Sequence, residues 1–428
     1  MTSNSPIIPS TVENRGIYCG LPKFSPLITG RKAIVFGANG ISGNYMLRAL
    51  SQTPERWEHV AALSRRPHTA SQGIGKNVEH IQVDLLQEPE EIAKILRHHE
   101  LQPDVVFFFA YIQPPPADDN LWSNAEELTR SQGKLLQNCL DALQLASIRP
   151  KRFLLQTGAK YYGVHLGPVH SPAVESDPRV LIEPNFYYVQ EDMLSQYCRQ
   201  NGVQWNVVRP AVILGAVEGS AMNSVYALAV YAAVQKHKGE KLVWPGDAWG
   251  WEKEVTHSSA MLNSYLSEYV VLNEHAGNEA FNASDGSPFT YGRLWAQLAK
   301  WHGLEFTYPD DDSTGLHELT LQHKPPRGFG KPPTIRFNFT FFEWAQRPEN
   351  QQAWKELTQK HNLIGNPFGP NELEKTFEYL DFAVLPPHAF TMNLAKGRKF
   401  GWYGFVDTIE SHRQVIEELV ALNMVPPL

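Results

Sequence analysis

Cysteine is scarce in this chain: three in 428 residues, Cys19, Cys139 and Cys198, widely spaced and odd in number. That argues against a disulfide scaffold and against a cysteine-built zinc site, and it fits a reducing compartment. Long apolar runs are missing too, so nothing reads as a bilayer span. The first 30 residues hold Pro, Ser, Asn and several charges. They lack the basic start and apolar centre of a secretory signal, and the expectation is a cytoplasmic protein. There is no basic excess: 38 Lys and Arg stand against 45 Asp and Glu, a net charge of −7. A broad nucleic-acid surface needs the opposite balance to displace counterions. No metal site is expected either, because the acidic triplet Asp310–Asp312 has no further ligands at useful spacing. No internal repeat or low-complexity tract interrupts the chain.

What the chain does have is large aromatics, with 11 Trp and 16 Tyr. They are suited to a core, and a share of them to an apolar substrate pocket. It also has a regular alternation of short apolar runs with helical periodicity. Strand candidates are Lys32–Gly37, His59–Ser64, His80–Leu85, Asp104–Phe109, Arg152–Gln156 and Trp205–Pro210. Helix candidates between them are Ser42–Gln52, Glu91–His98, Ala125–Leu145 and Tyr187–Gln200. This βαβ alternation predicts an α/β fold, a Rossmann-type doubly wound parallel sheet. The reading divides the chain into an irregular arm (1–30), a dinucleotide-binding domain (31–215) and a lobe that is mostly substrate-binding (216–428). A segment near 278–283 returns to the sheet. Lys324–Pro333 and Asn366–Pro370, rich in Pro and Gly, read as loops.

Gly37, Gly40 and Gly43 form G-x-x-G-x-x-G directly after a strand and directly before a helix. The first glycine permits a tight turn, the second lets a pyrophosphate approach the backbone, and the third lets helix and strand pack closely. The helix N-terminus then offers unpaired N–H groups to the phosphates. An NAD binder carries an acid about 20 residues further on, at the end of the second strand. Here Ser64-Arg65-Arg66 occupies that place. Guanidinium grips a 2′-phosphate that a carboxylate would repel, so the cofactor expected is NADP(H). Asp84 and Leu85, ending the third strand, stand at the height of the adenine.

The chemistry should lie beyond the carboxyl end of the fifth strand, in Gln156-Thr-Gly-Ala-Lys160-Tyr161-Tyr162-Gly163. Common short-chain dehydrogenases place Tyr-x-x-x-Lys on the next helix. In Tyr187-Tyr-Val-Gln-Glu191 the fourth position after the tyrosine is an acid. If the pair is intact its lysine comes from elsewhere, and Lys160 is the obvious supplier. His165 and His170 lie in the same region, but in a chain with 16 histidines proximity alone assigns them nothing.

At these motifs the sequence resembles the progesterone 5β-reductase/iridoid synthase-like (PRISE) family of short-chain dehydrogenases/reductases. The resemblance rests on Gln156–Lys160, Asn185-Phe-Tyr-Tyr-x-x-Glu-Asp192, Arg209–Gly215, Met222-Asn223, Asn278–Asn282 and Lys399–Thr408. It implies an extended short-chain dehydrogenase fold and NADPH-dependent 1,4-reduction of a conjugated enone or enal. It places the catalytic lysine on Lys160 and the catalytic tyrosine on Tyr187. The phosphate loop falls on Gly37, Asn39, Gly40 and Ile41, and the nicotinamide side on Tyr111, Thr157, Tyr187 and Val212. In the mechanism this implies, Tyr187 hydrogen-bonds the oxygen where charge develops, and Lys160 acidifies the phenol. The partner expected is a small apolar carbonyl compound, secondary-metabolite or steroid-like. A homodimer is compatible with the family. The chain departs from the pattern at Tyr161, where the family has His, at the late Gly167-Pro168 and in the loop Tyr111–Asn124 with Pro114–Pro116. Other chemistries on this fold stay open: a ketone reductase, an epimerase, a cyclase or isomerase, and a non-catalytic NADP(H)-sensing protein.

Overall fold

Seven short runs meet edge to edge in one parallel sheet. They are β1 (Arg31–Phe36), β2 (Trp57–Ser64), β3 (Val78–Gln82), β4 (Val105–Phe108), β5 (Arg152–Gln156), β6 (Gln204–Pro210) and β7 (Glu279–Ala283). The order is β7-β6-β5-β4-β1-β2-β3. The computed structural model describes residues 11–67, 73–114, 124–220, 222–309, 315–321 and 331–428. The triplet Asp310–Asp312, most of the Lys324–Pro333 loop, Pro115 and Pro116, and the first ten residues of the arm lie outside the described residues.

Burial on both faces explains the near-continuous apolar strands. Ala33 and Val35 of β1 pack under α1 (Ile41–Ser51) and the later helix Ala260–Leu272. Ile34 and Phe36, pointing the other way, pack under α2 (Pro89–His98), α3 (Ala125–Leu145) and α4 (Phe186–Asn201). In register, Ala33–Phe36 face Val60–Leu63 on one side and Val105–Phe108 on the other. The strand order therefore reverses between β1 and β4, and a crevice opens beyond their carboxyl ends.

The second lobe is helical. It is built on α5 (Ser224–Lys238), α7 (Tyr291–His302), α8 (Pro348–His361), α9 (Leu373–Val384) and α10 (Thr408–Ala421), whereas the intervening helix Ala260–Leu272 (α6) packs on the sheet beside α1. Except for α6, these helices surround an aromatic core of Tyr231, Trp244, Trp295, Phe341, Trp344, Trp354 and Phe377. Much of the chain's aromatic load is spent there. A short parallel ladder, Val212–Leu214 against His257–Ser259, joins lobe to sheet. Glu418 of α10 binds Arg48 of α1 at 2.7 and 3.0 Å and accepts from the Tyr45 hydroxyl. The helix that follows the glycine turn is thus held by the far end of the chain.

One part of the arm is ordered contrary to its sequence reading. Val12–Arg15 and Tyr18–Pro22 form an antiparallel hairpin around Gly16, which has φ +58°. Tyr18 and Leu21 are buried on the sheet's α1/α6 side, with Tyr18 edge-on to Tyr265 at 5.7 Å. Strands of four and five residues with no alternating pattern give no local signal. Their partner surface lies some 240 residues away in sequence.

Candidate active site

One cavity of about 590 Å³ lies over the crevice. The glycine turn forms its floor. Gly37 has φ +80°, and a Cβ there would stand 2.6 Å from the amide nitrogen of Ala110. A Cβ on Gly43 would stand 2.8 Å from Ala38 Cα, so bare backbone is what lets α1 sit against the turn. Gly40 differs. It is the N-cap of α1 without a side-chain cap, with φ −73°. Its nearest neighbour to a Cβ would be the Gly37 carbonyl at 3.5 Å. The protein itself leaves that space open, beside uncapped helix N–H groups, as a bound pyrophosphate requires. Ile41 and Gly43 line the same edge.

At the end of β2 the backbone is pinned and the two charged side chains are exposed. Ser64 Oγ donates to the Arg66 carbonyl at 2.8 Å, and Gln82 Nε2 to the Arg65 carbonyl at 3.0 Å. Asn39 Nδ2 donates to the carbonyls of Arg66 (2.9 Å) and Pro67 (3.2 Å). Both arginines are exposed at the cavity mouth. Asn39, read from the resemblance as part of the phosphate loop, thus ties that loop to the arginines. Next to them, Asp84 caps its own turn by accepting from Leu86 N–H at 2.9 Å. The Leu85 carbonyl is held by Asn138 Nδ2 at 2.8 Å. Both residues line the cavity.

Tyr111, Thr157, Lys160, Tyr187 and Val212 line the other end. Thr157 Oγ1 is buried and has no hydrogen-bond partner among the described residues. A buried hydroxyl left this way fits a site that a polar ligand completes. Lys160 sits on a 3₁₀ turn, Ala159–Tyr162, that begins where β5 ends. Tyr187 opens α4, capped by Asn185. Asn185 joins the two: its Nδ2 donates to the Lys160 carbonyl at 3.0 Å and its Oδ1 accepts from Tyr187 N–H at 3.1 Å. Gly158 leaves room for the phenol, since a Cβ there would stand 3.0 Å from Tyr187 Oη.

Burial lowers the Lys160 ammonium to a pKa of about 8, with Glu183 pulling the other way. Burial also pushes the Tyr187 phenol well above its ordinary value, and Tyr111 and Tyr379 push in the same direction. The acidification by Lys160 that the resemblance implies is not among the influences on this phenol, all of which push it up. At neutral pH the phenol keeps its proton and is a hydrogen-bond donor rather than a base.

Glu191, in the place of the usual lysine, faces away from this chemistry. It forms a bidentate pair with Arg209 at 3.0 and 3.1 Å. His165 lines the cavity and pairs with Glu183 at 2.6 Å, whereas His170 is exposed and pairs with Asp177. Sequence reasoning missed the opposite wall: Tyr379, Phe382, Pro386, Pro387, His388 and Phe390. They come from α9 and the loop after it, and no local motif marks them. Gln156, quoted only as part of a motif, donates to Ser42 Oγ at 2.8 Å and ties β5 to the start of α1.

Known proteins are similar to this one over most of the chain. Residues 33–323 match the PRISE-like Rossmann-fold domain. An (S)-8-oxocitronellyl enol synthase of Nepeta cataria is 31% identical, over 92% of this chain and 93% of its own. A 3-oxo-Delta(4,5)-steroid 5-beta-reductase of Arabidopsis thaliana is 29% identical, over 92% and 93%. Among solved structures, the Bordetella bronchiseptica enzyme WbmG in complex with NAD and UDP superposes with a TM-score of 0.56. It covers 93% of this chain and 97% of its own at 12% identity, a likeness of fold alone. The chain belongs to the PRISE-like Rossmann-fold family and is an oxidoreductase of the short-chain dehydrogenase/reductase type.

Proposed function

We propose that this protein catalyses NADPH-dependent 1,4-reduction of a conjugated enone or enal. The observation that carries the reading is that a protonated phenol, Tyr187, and an ammonium, Lys160, both half-buried, line the same cavity that the glycine turn floors. Gly37, Asn39, Gly40, Ile41 and Gly43 would hold the pyrophosphate, Arg65 and Arg66 the 2′-phosphate, and Asp84 and Leu85 the adenine. Thr157 and Val212 would flank the nicotinamide. When bound, that cofactor supplies a hydride to the β-carbon of the substrate.

The residues of the chain manage the charge that results. Negative charge gathers on the carbonyl oxygen, and Tyr187 donates a hydrogen bond to it without losing its proton. One such donor contributes about 2.7–4 kcal/mol to lowering a barrier of this kind. Lys160, still charged at neutral pH, adds a second stabilising centre and orients the bound partners. The α-carbon takes its proton from solvent. Val164, Phe186, Phe382, Pro386, Pro387 and Phe390 offer the substrate an apolar wall, which supports an apolar carbonyl compound. The names of the relatives, an enol synthase of an oxo-terpenoid and a reductase of a 3-oxo-steroid, support the same class. Three free cysteines agree with a cytosolic place of action.

The test is to follow a deuteride from 4-deuterated NADPH into the product of a simple enone. Deuterium at the β-carbon of a saturated ketone supports the reading. An allylic alcohol carrying deuterium at the carbinol carbon makes the protein a ketone reductase instead. Product without NADPH oxidation makes it an isomerase or cyclase, and tight NADPH binding without turnover across an enone panel makes it a sensor.

A further inference from the structure

The acid at position 191 and the lysine at position 160 are two halves of one arrangement. Arg209, at the end of β6, is buried. Its guanidinium lies 3.4 Å from the ring centroid of Tyr161, the residue that follows Lys160. Its Nη1 donates to the Glu175 carbonyl at 3.1 Å, its Nε and Nη2 donate to Glu191, and it also bonds the Tyr162 hydroxyl, while Arg179 stands 3.9 Å from the same Glu191 carboxylate. Tyr161 is gripped from a second side. Its carbonyl accepts from the hydroxyl of Tyr188, the residue that follows Tyr187, at 2.5 Å. The Tyr188 hydroxyl also accepts from Val180 N–H at 2.8 Å. Tyr161 and Tyr188 meet edge-on at 5.1 Å.

We propose that Glu191 and Arg209 are positioning residues: their ion pair clamps Tyr161 and thereby fixes Lys160 in the cavity wall it shares with Tyr187. The inference rests on the assignment of Lys160 and Tyr187 as the catalytic pair. Its physical basis is the cation in the wrong place. A lysine at 191 would face the buried Arg209 with like charge and leave both uncompensated, which is costly in low dielectric. An acid there satisfies Arg209 bidentately and orients its flat face onto Tyr161. An acid at 191 is thus the residue type that this place beside Arg209 favours. The clamp touches neither cofactor nor substrate and works through the turn Ala159–Tyr162. A misplacement of the lysine by about 1 Å is enough to lower turnover by as much as about 100-fold.

The experiment is a double-mutant cycle in the full chain with Glu191→Gln, Lys160→Met and the pair. Glu191→Gln keeps shape but removes the charge. Expected is a fall in kcat of about 10- to 100-fold, with KM and the NADPH dissociation constant within about twofold. Glu191→Asp should recover most of the loss. In the Lys160→Met background, Glu191→Gln should cost nothing further, because the clamp acts only through that lysine. Losses that multiply, or an unchanged kcat in Glu191→Gln, overturn the proposal. If Glu191→Gln does not fold, Arg209→Lys, which keeps the charge without the flat bidentate face, replaces it in the cycle under the same criteria. A wild-type protein that reduces no enone overturns the reduction reading and leaves this one to be read on whichever carbonyl reaction Lys160→Met weakens. If Lys160→Met weakens none, both fall.

Discussion

Asn185 hydrogen-bonds the backbone of Lys160 at 3.0 Å while the other end of the same amide caps the helix that Tyr187 opens. One side chain thus does two jobs, and each can be measured. Asn185→Ala removes a cap, which costs about 0.5–2 kcal/mol of stability. It also frees the turn that carries Lys160, so kcat should fall by more than the stability loss alone explains. Asn185→Asp keeps the cap but has no N–H to donate to the Lys160 carbonyl. Urea unfolding and steady-state kinetics on both variants separate the roles. Near-wild-type stability with reduced kcat in Asn185→Asp is the expected pattern. Full activity there would show that the link to Lys160 does not matter.

The glycine turn allows a sharper separation, because its glycines are needed for different reasons. Gly43→Ala forces a methyl into Gly37 and Ala38 backbone and should destabilise the fold by about 1–3 kcal/mol. Gly40→Ala meets only the Gly37 carbonyl, at an ordinary distance and an ordinary φ. It should fold with an unchanged Tm yet bind NADPH at least about tenfold more weakly, since its methyl takes the space of a phosphate oxygen. Thermal melts and nucleotide titration by fluorescence decide it. Equal NADPH affinity in Gly40→Ala would remove the pyrophosphate from this turn.

Arg65 and Arg66 should set the choice between the two nicotinamide cofactors. A charge-assisted hydrogen bond contributes about 1.5–3 kcal/mol. Replacing both with Ala should therefore weaken NADPH by about 10- to 100-fold and leave NADH within about twofold. Isothermal titration with both nucleotides is the check. An equal loss for both would mean that the arginines serve only as surface charge.

How much of this was legible in the sequence follows from the range of the interactions. The strands β1–β6 announce themselves as short apolar runs, and the glycine turn and the two arginines stand where the strand order predicts. Lys160 and Tyr187 stand out because Glu191 breaks the ordinary spacing. The partner of Glu191 is 18 residues away, against the Tyr161 ring, and no local spacing marks it. The hairpin Val12–Pro22 and the wall from Tyr379 to Phe390 are formed by contacts across hundreds of residues. No periodicity or motif encodes them locally, and so the cofactor half of the cavity could be read in advance and the substrate half could not.

The last prediction concerns pH. Burial takes Lys160 from its ordinary 10.5 to about 8. Below that value the side chain is an ammonium and can stabilise a developing enolate. Above it the side chain is neutral and cannot. The Tyr187 phenol, held well above its usual value, keeps its proton throughout. So kcat should be flat from pH 6 to about 7.5 and then fall towards a tenfold loss per unit as pH rises through and beyond 8. Lys160→Arg should remove the limb, because guanidinium stays charged across the range, though at a lower plateau from altered reach. Lys160→Met should be slow and flat, whereas Tyr187→Phe should be slow with the limb intact, because its lysine still titrates. Stopped-flow single turnovers from pH 6 to 10 read the chemical step free of product release. A wild-type profile that stays flat beyond pH 9 would mean that the charge on Lys160 plays no part in the step, and its role would reduce to holding the bound partners in place.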